Sequence, residues 1–254
     1  MPSTEPATGA QPPARTVAIW AALSPVIEAG APLRVLDVGG GSGMFAVPLA
    51  QLGHDVTVID PSADALATLH RRADAVGVGM RVRGLQGDGD RMHAVLEGAA
   101  ATGGAVPGRQ FDLVLCHSVL EVVDDPVSTL REIAGVLRPG GQLSIATANR
   151  AGAVLARAVS GHPREARALL ADQDPAPGRA RPARRRFGPP ELLDLVTGAG
   201  LLPGEWRGVS VVADLLGASS GADPTAIRDL ELALAGSSPY RDVATGLHVL
   251  ATRP

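Results

Sequence analysis

The chain has 254 residues, of which 45% are hydrophobic and only 2% aromatic, and its formal net charge is -3. This length and composition fit one α/β domain with an aliphatic core, and they exclude a strong overall attraction to nucleic acid. The single cysteine, Cys116, excludes an internal disulfide bond.

The N-terminal region predicts a disordered tail and no targeting signal. Residues 1–14 are rich in Pro, Ala, Thr and Gly, and no basic start is followed by an apolar stretch. No apolar run of the sequence has the length needed to span a membrane. We therefore expect a cytoplasmic protein with no membrane partner, in which residues 15–254 form a single domain.

Apolar runs and turn residues predict an alternation of strands and helices along the chain. A helix at residues 17–27, interrupted or bent at Pro25, leads into the first strand. Ser62 and Asp125 are predicted to cap two of the helices that follow. Strands are predicted at residues 35–38, 55–59, 80–85, 111–116 and 142–147, within 205–213, and at 247–252. The first five, each followed or preceded by a helix, predict a doubly wound, mainly parallel sheet.

Two stretches depart from this alternation. Residues 97–110 are rich in Gly and Ala and predict a loop. Residues 150–187 predict an insertion that covers or borders the site, helical over 151–170 and then polar and Pro-rich. The insertion ends in five arginines, namely Arg179, Arg181, Arg184, Arg185 and Arg186.

The stretch LRVLDVGGGSGM, residues 33–44, predicts a ligand site. A buried strand stops at three consecutive glycines, and a helix starts just beyond them. Glycine permits positive φ and leaves no side chain between backbone and ligand, and a helix N-terminus attracts an anionic group. In an open α/β sheet, ligands bind beyond the carboxyl ends of the strands, where this turn lies.

Two cofactors are compatible with this turn. The dinucleotide fingerprint G-x-G-x-x-G fails at Met44 if it starts at Gly39, and a start at Gly41 lies late relative to the strand. S-adenosylmethionine needs backbone groups for its amino-acid end, and a G-x-G-x-G turn through Gly43 supplies them. Asp60, after the second strand, would accept hydrogen bonds from the ribose hydroxyls of either cofactor.

The segments after the fourth strand favour the second cofactor. The run FDLVLCHSVLEVVDDP, followed by LRPGGQLSI, resembles class I S-adenosylmethionine-dependent methyltransferases, and the match covers about residues 33–147. The resemblance extends to tRNA 5-carboxymethoxyuridine methyltransferases through VLDVGGGSG, CHSVLEVVDDP, VLRPGG, NRAGAVLARAVSG and SPYRDVATGLHVLATRP. It implies a Rossmann-like fold with a seven-stranded, mostly parallel sheet, an antiparallel last strand and helices on both faces.

The resemblance also implies a set of cofactor contacts. The amino-acid end of the cofactor, the ribose and the adenine are expected on three consecutive loops, with a further contact from an N-terminal arginine and one after the fourth strand. Asp88 competes with Asp90 for the adenine contact. The expected contacts are Arg15, Gly39, Gly40, Gly41, Gly43, Asp60, Pro61, Gly87, Asp88 and His117.

The chemistry of the methyl acceptor decides which residues would be needed to bind it. A carboxylate acceptor on a modified tRNA would need no general base, and arginines would hold its charge. The candidates for substrate contacts are Arg150, Arg184, Arg185 and Tyr240, and no catalytic residue or metal site is predicted. A phenol or an amine acceptor would instead leave His117 as a candidate base. A methyltransferase for a small metabolite or natural product, and a non-catalytic interaction protein with the same fold, are the alternatives.

Overall fold

The computed structural model describes residues 12–101, 110–171, 184–216 and 221–254. Within these ranges, eight strands form one sheet in the order β3-β2-β1-β4-β5-β8-β6, and β7 also pairs with β8. The strands are β1 (Arg34–Val38), β2 (Asp55–Asp60), β3 (Val82–Gln86), β4 (Phe111–His117), β5 (Leu137–Ala148), β6 (Leu202–Pro203), β7 (Arg207–Val209) and β8 (Gly246–Thr252).

The strand directions confirm the predicted Rossmann-like architecture, but the sheet has eight strands and not the expected seven, because β6 and β7 both pair with β8 where one strand was expected. Strands β1 to β5 are mutually parallel, whereas β8 runs antiparallel to β5, and β6 and β7 run antiparallel to β8. The chain runs outward from β1 through β2 to β3 and then returns to place β4 on the other side of β1. The carboxyl ends of β1 and β4 therefore form the switch point at which such sheets bind ligands.

Helices cover both faces of the sheet. The helices are α1 (Val17–Ile27), α2 (Ala46–Gln51), α3 (Ala63–Ala75), α4 (Met92–Ala101), α5 (Pro126–Val136), α6 (Arg150–Val159), α7 (Pro163–Leu170), α8 (Pro189–Gly198) and α9 (Pro224–Ala235). One aliphatic cluster joins α1, α2 and α3 to the sheet, and a second joins α4, α5 and α8 to the opposite face. None of the described helices combines the length and apolar character that crossing a bilayer requires.

The predicted helix caps are confirmed. The side chain of Ser62 accepts a hydrogen bond from the amide of Ala65 at 3.2 Å, and that of Asp125 accepts one from Val127 at 2.9 Å. Helix α1 continues through Pro25, so the expected interruption at this residue does not end the helix. These caps fix the starts of α3 and α5, the two helices that follow β2 and the loop after β4.

Two predicted boundaries were wrong. The loop expected over residues 97–110 is helical as far as Ala101, because α4 buries Leu96 in the core and its Ala-rich continuation favours helix; residues 102–109 lie outside the described ranges. Strand β5 begins at Leu137, ahead of the expected residue 142, because Leu137 already pairs with Phe111.

Two other predicted segments, the N-terminal tail and the insertion over residues 150–187, lie only partly within the described residues. Of the expected N-terminal tail, residues 1–11 lie outside it, and a short 3-10 helix already begins at Ala14. The helical part of the predicted insertion consists of α6 and α7. Arg179 and Arg181 lie outside the described residues, whereas residues 184–188 return across the carboxyl end of β5.

Candidate functional site

The glycine turn after β1 takes a backbone path that side chains rarely follow. Gly39, Gly41 and Gly43 have φ of +70°, +56° and +81°. A Cβ added at Gly39 would lie 2.6 Å from Cγ2 of Val119, and one added at Gly43 would overlap Leu69. The turn therefore requires glycine both for its conformation and for its close packing, and it exposes backbone groups at the switch point.

Asp60, the last residue of β2, lies directly beside this turn. Its Oδ2 accepts a hydrogen bond from the amide of Gly41 at 2.9 Å, and its Oδ1 accepts one from the amide of Ser62 at 2.9 Å. The residue is 9% exposed. Because a carboxylate oxygen has more than one acceptor direction, both oxygens keep capacity for a further donor such as a ribose hydroxyl.

The segment after β3 completes the same edge. The amide of Gly87 donates to the carbonyl of Asp60 at 3.2 Å, so this segment abuts the end of β2. A Cβ added at Gly87 would overlap Val95. Asp90 accepts a hydrogen bond from the hydroxyl of Thr129, whereas the side chain of Asp88 is exposed. Of the two competing acids, Asp90 is thus tied to α5.

Asp37 is buried in β1 beneath the turn and carries a strongly shifted pKa. A Cβ added at Gly40 would overlap its carboxyl group, so the two residues are in close contact. Burial, followed by the nearby negative charge of Asp60, raises the pKa of Asp37 from 3.8 to about 7. The turn is therefore supported by an acid that keeps its proton until the pH approaches 7.

We expect this acid to make the folding stability depend on pH. Because the folded state holds the Asp37 proton more tightly than the unfolded state, stability falls as pH rises from 3.8 towards 7. Between pH 5 and pH 6.5 the loss is about 2 kcal/mol. Urea unfolding of the wild type and of Asp37→Asn at both pH values measures it, and Asp37→Asn should lack this part of the pH dependence. An equal pH dependence in both proteins would contradict the assignment.

His117, at the end of β4, is hydrogen-bonded to the neighbouring strand β5 through one of its two ring nitrogens. Its Nε2 lies 2.9 Å from the hydroxyl of Ser144, which lies 2.8 Å from Nε2 of His248, and its Nδ1 is buried without a hydrogen-bond partner. The ring packs edge-on against Phe45, with centroids 4.6 Å apart. Burial, followed by the charge of His248, lowers the pKa of His117 to about 3. The imidazole is neutral at pH 7 and a weak base.

The structure brings three of the four predicted substrate residues together around the start of α6. Arg150 donates to Glu191 and to the carbonyl of Arg186, both at 3.0 Å. The guanidinium of Arg185 donates to the carbonyls of Val123 and Asp124, so both arginines hold the strap formed by residues 184–188. Arg184 is exposed, and Tyr240 is 53% exposed on the segment before β8.

Glu121 anchors this strap from below. Its Oε1 accepts the amide of Ala148 at 2.8 Å, and its carbonyl accepts the amide of Arg185 at 3.0 Å. Burial raises the pKa of the Glu121 carboxyl, and hydrogen bonds and the charge of Arg184 partly oppose this rise. The strap is thus fixed across the carboxyl ends of β4 and β5, on the side of the sheet edge next to the predicted cofactor site.

Two acidic residues at this edge, Asp214 and Glu231, make contacts that the sequence patterns did not predict. Arg15, the predicted N-terminal contact, forms an ion pair with Asp214 at 2.7 Å. Glu231 of α9 is fully buried and accepts hydrogen bonds from three consecutive amides of the loop that carries Asp214. No sequence motif indicates a role for Asp214 or Glu231, because the partners of each acid are distant in sequence and meet it only in the folded chain.

Among the described residues, no group of three His, Cys, Asp or Glu side chains is arranged to hold a metal ion.

Comparison with protein families and curated sequences gives a consistent set of relatives. The family described as "Methyltransferase domain" matches residues 36–145. A tRNA 5-carboxymethoxyuridine methyltransferase of Escherichia coli (strain K12) is 35% identical over 150 residues, which are 58% of this chain and 53% of that protein. A ubiquinone biosynthesis O-methyltransferase of Xanthomonas axonopodis pv. citri is 38% identical over 151 residues, 59% of this chain and 55% of that protein. The chain spans about half the length of the curated relatives it matches.

A solved structure extends the likeness in fold to nearly the whole chain. An S-adenosylmethionine-dependent methyltransferase from Mesorhizobium loti superposes with a TM-score of 0.57 at 20% identity. The superposition covers 91% of this chain and 98% of that one. At this identity the likeness concerns the fold alone.

Proposed function

Because the chain carries a methyltransferase domain and the fold of class I S-adenosylmethionine-dependent methyltransferases, we propose that it transfers a methyl group from S-adenosylmethionine to an acidic acceptor. The observation that carries this proposal is the carboxylate of Asp60, held 2.9 Å from the amide of Gly41 within the glycine turn. The carboxylate that would accept hydrogen bonds from the ribose hydroxyls therefore lies beside the glycine turn that would bind the amino-acid end. The nucleoside and amino-acid ends of this cofactor require such neighbouring sites.

Three groups of the proposed contacts each take one part of the cofactor. The glycine turn takes the amino-acid end, Asp60 and Pro61 take the ribose, and the Gly87–Asp88 pair takes the adenine. Asp88 is preferred to Asp90 because the latter is already bonded to Thr129. The full proposed set is Arg15, Gly39, Gly40, Gly41, Gly43, Asp60, Pro61, Gly87, Asp88 and His117.

Methyl transfer depends more on the alignment of the acceptor with the methyl group than on proton transfer. S-adenosylmethionine, when bound, supplies an electrophilic methyl group on a positively charged sulfur. The protein must hold the acceptor in line with that group and keep water away. His117 is poorly suited to act as a base, since its pKa is about 3. A carboxylate acceptor fits this site because it is already ionised at pH 7 and has no proton to lose.

We propose a carboxylate on a modified tRNA wobble uridine as the acceptor. The similarity to the tRNA 5-carboxymethoxyuridine methyltransferase supports this choice. The arginines around the strap support it as well, because guanidinium groups suit both a carboxylate and the phosphates of RNA. Arg184 and Arg185 are both exposed, but the guanidinium of Arg185 already donates to backbone carbonyls, as does that of Arg150, so these two arginines shape the strap that presents Arg184.

A small-molecule acceptor is the second candidate, and one observation favours it. Proteins that read RNA usually stack unpaired bases on aromatic rings. Here Phe187 is buried, and the Trp206 ring lies 4.3 Å beneath the guanidinium of Arg241, which leaves Tyr240, on the segment before β8, as the exposed ring. The similarity to the ubiquinone biosynthesis O-methyltransferase supports the same candidate.

Transfer of a radiolabelled methyl group separates the two acceptors. The purified protein is incubated with labelled S-adenosylmethionine and either total tRNA or an extract of small metabolites from the same cells. We expect label in tRNA that mild alkali releases, because a methyl ester is hydrolysed whereas an N-methyl or ether methyl group is retained. Label in the metabolite fraction alone would favour the second candidate. Binding of the cofactor without transfer to either fraction would contradict both, and absence of binding would contradict the proposed cofactor.

A further inference from the structure

Asp214 joins three segments of the chain at the edge of the proposed site. Its Oδ1 lies 2.7 Å from Nε of Arg15 in an ion pair, and its Oδ2 accepts a hydrogen bond from the hydroxyl of Thr245 at 2.6 Å. The carbonyl of Thr245 in turn accepts the amide of Asn149 at 2.9 Å, directly after β5. Arg15 is therefore tied through one carboxylate to the carboxyl end of the sheet.

The loop that carries Asp214 has its backbone fixed from the other side. Glu231 is fully buried, and its carboxylate accepts the amides of Val211, Val212 and Ala213 at 2.8, 2.8 and 2.7 Å. Three consecutive amides on one carboxylate hold a loop in a single conformation. The position of the Asp214 carboxylate is thus set by α9.

Arg15 is also located relative to the glycine turn. It lies in the 3-10 helix that leads into α1, and Trp20 of α1 stacks on Phe45 with ring centroids 5.0 Å apart. Phe45 follows the glycine turn closely and packs against His117. The start of α1 is therefore held between the glycine turn and the end of β5, the two sides of the proposed cofactor site.

The geometry of the ion pair leaves the binding edge of Arg15 available. A guanidinium has five N–H donors, and the carboxylate of Asp214 lies on the Nε side of Arg15, 2.7 Å from that nitrogen. The donors on the two Nη atoms form the edge that pairs with a carboxylate in a fork. Within the described part of the chain, Asp214 is the acidic partner of Arg15, and the Arg15 side chain is 69% exposed.

We propose that Asp214 is a positioning residue for cofactor binding, which orients Arg15 so that its Nη edge receives the carboxylate of the methionine end of S-adenosylmethionine. This inference rests on the proposed function. With Asp214 present, the Arg15 side chain is ordered before the cofactor binds. Without Asp214, the entropic cost of ordering that side chain would instead reduce the free energy of cofactor binding. Ordering one long side chain on binding lowers affinity by a factor of about 2 to 10.

Two ligands that differ in the amino-acid tail test this role. We expect Asp214→Ala to weaken binding of S-adenosylmethionine, measured by calorimetry, by about tenfold. Binding of 5′-methylthioadenosine, which lacks the carboxylate, should be unchanged. Arg15→Gln should show the same split, and the double variant should be no weaker than Arg15→Gln alone, because Asp214 acts through Arg15. Glu205→Ala, which breaks the exposed pair with Arg241 at 3.1 Å, is the matched control.

Three results would overturn the inference. They are an unchanged affinity of Asp214→Ala for S-adenosylmethionine, an equal loss for both ligands, and additive effects of the two substitutions. Each would mean that the pair has a structural role only. Failure of the wild type to bind S-adenosylmethionine would instead contradict the proposed function itself, so the two failures are distinguishable.

Discussion

Replacing Asp60 with alanine is expected to weaken S-adenosylmethionine binding by about a hundredfold or more. The carboxylate is held by the amides of Gly41 and Ser62, so it enters the complex already oriented. A hydrogen bond to a charged group contributes roughly 1.5 to 3 kcal/mol, and the ribose offers two hydroxyls. The loss of both bonds together corresponds to about two orders of magnitude in the dissociation constant.

Calorimetric titration of the wild type and of Asp60→Ala measures this change directly. Asp55→Ala is the matched control, because Asp55 begins the same strand, is exposed and pairs with Arg81 at 3.0 Å. Thermal unfolding of both variants checks that the glycine turn keeps its fold without the bond from Gly41. An Asp60→Ala protein that is folded and binds the cofactor as well as the wild type would refute the ribose role.

Replacing Glu231 with alanine is expected to lower the free energy of unfolding by about 4 kcal/mol. The substitution removes one buried carboxylate and leaves three amides of residues 211–213 without their acceptor. A buried donor that loses its partner costs roughly 1 to 3 kcal/mol, and water admitted to the loop recovers part of the total. Glu231→Gln should also destabilise, because an amide nitrogen would face one of the backbone donors.

Urea unfolding followed by circular dichroism measures the loss. Asp229→Ala removes an acid from an exposed position of the same helix, and a change within about 0.5 kcal/mol is expected there. If Glu231→Ala were as stable as this control, the carboxylate would not be the element that holds the loop.

The sequence predicts best those features that local chemistry determines. Ser62 and Asp125 cap their helices as expected, since a cap needs only the residues that follow it. The glycine turn and Asp60 also meet as expected, because the carboxyl ends of neighbouring parallel strands always share one edge. Local patterns and one topological rule therefore account for the parallel half of the sheet and for the position of the turn.

The remaining features depend on partners that are distant in sequence. Glu231 lies in an ordinary helical pattern, and only the fold brings residues 211–213 against it. The same holds for Asp214 and Arg15, and for Arg150 and Arg185, whose guanidinium groups bind backbone carbonyls of the protein itself. An arginine in a basic cluster gives no sequence signal that separates such a structural role from substrate binding.

The stack of Trp20 on Phe45 has a consequence for observing the protein in solution. The chain has two tryptophans, and the other, Trp206, is covered by the guanidinium of Arg241 at 4.3 Å. Trp20 instead contacts the ring that follows the glycine turn. Indole fluorescence responds to changes in the immediate surroundings of the ring, so the emission of Trp20 is an optical reporter of any rearrangement in that turn. With Trp206 replaced by phenylalanine, Trp20 is the single tryptophan of the protein, so selective excitation of indole observes the mouth of the proposed site without an attached dye.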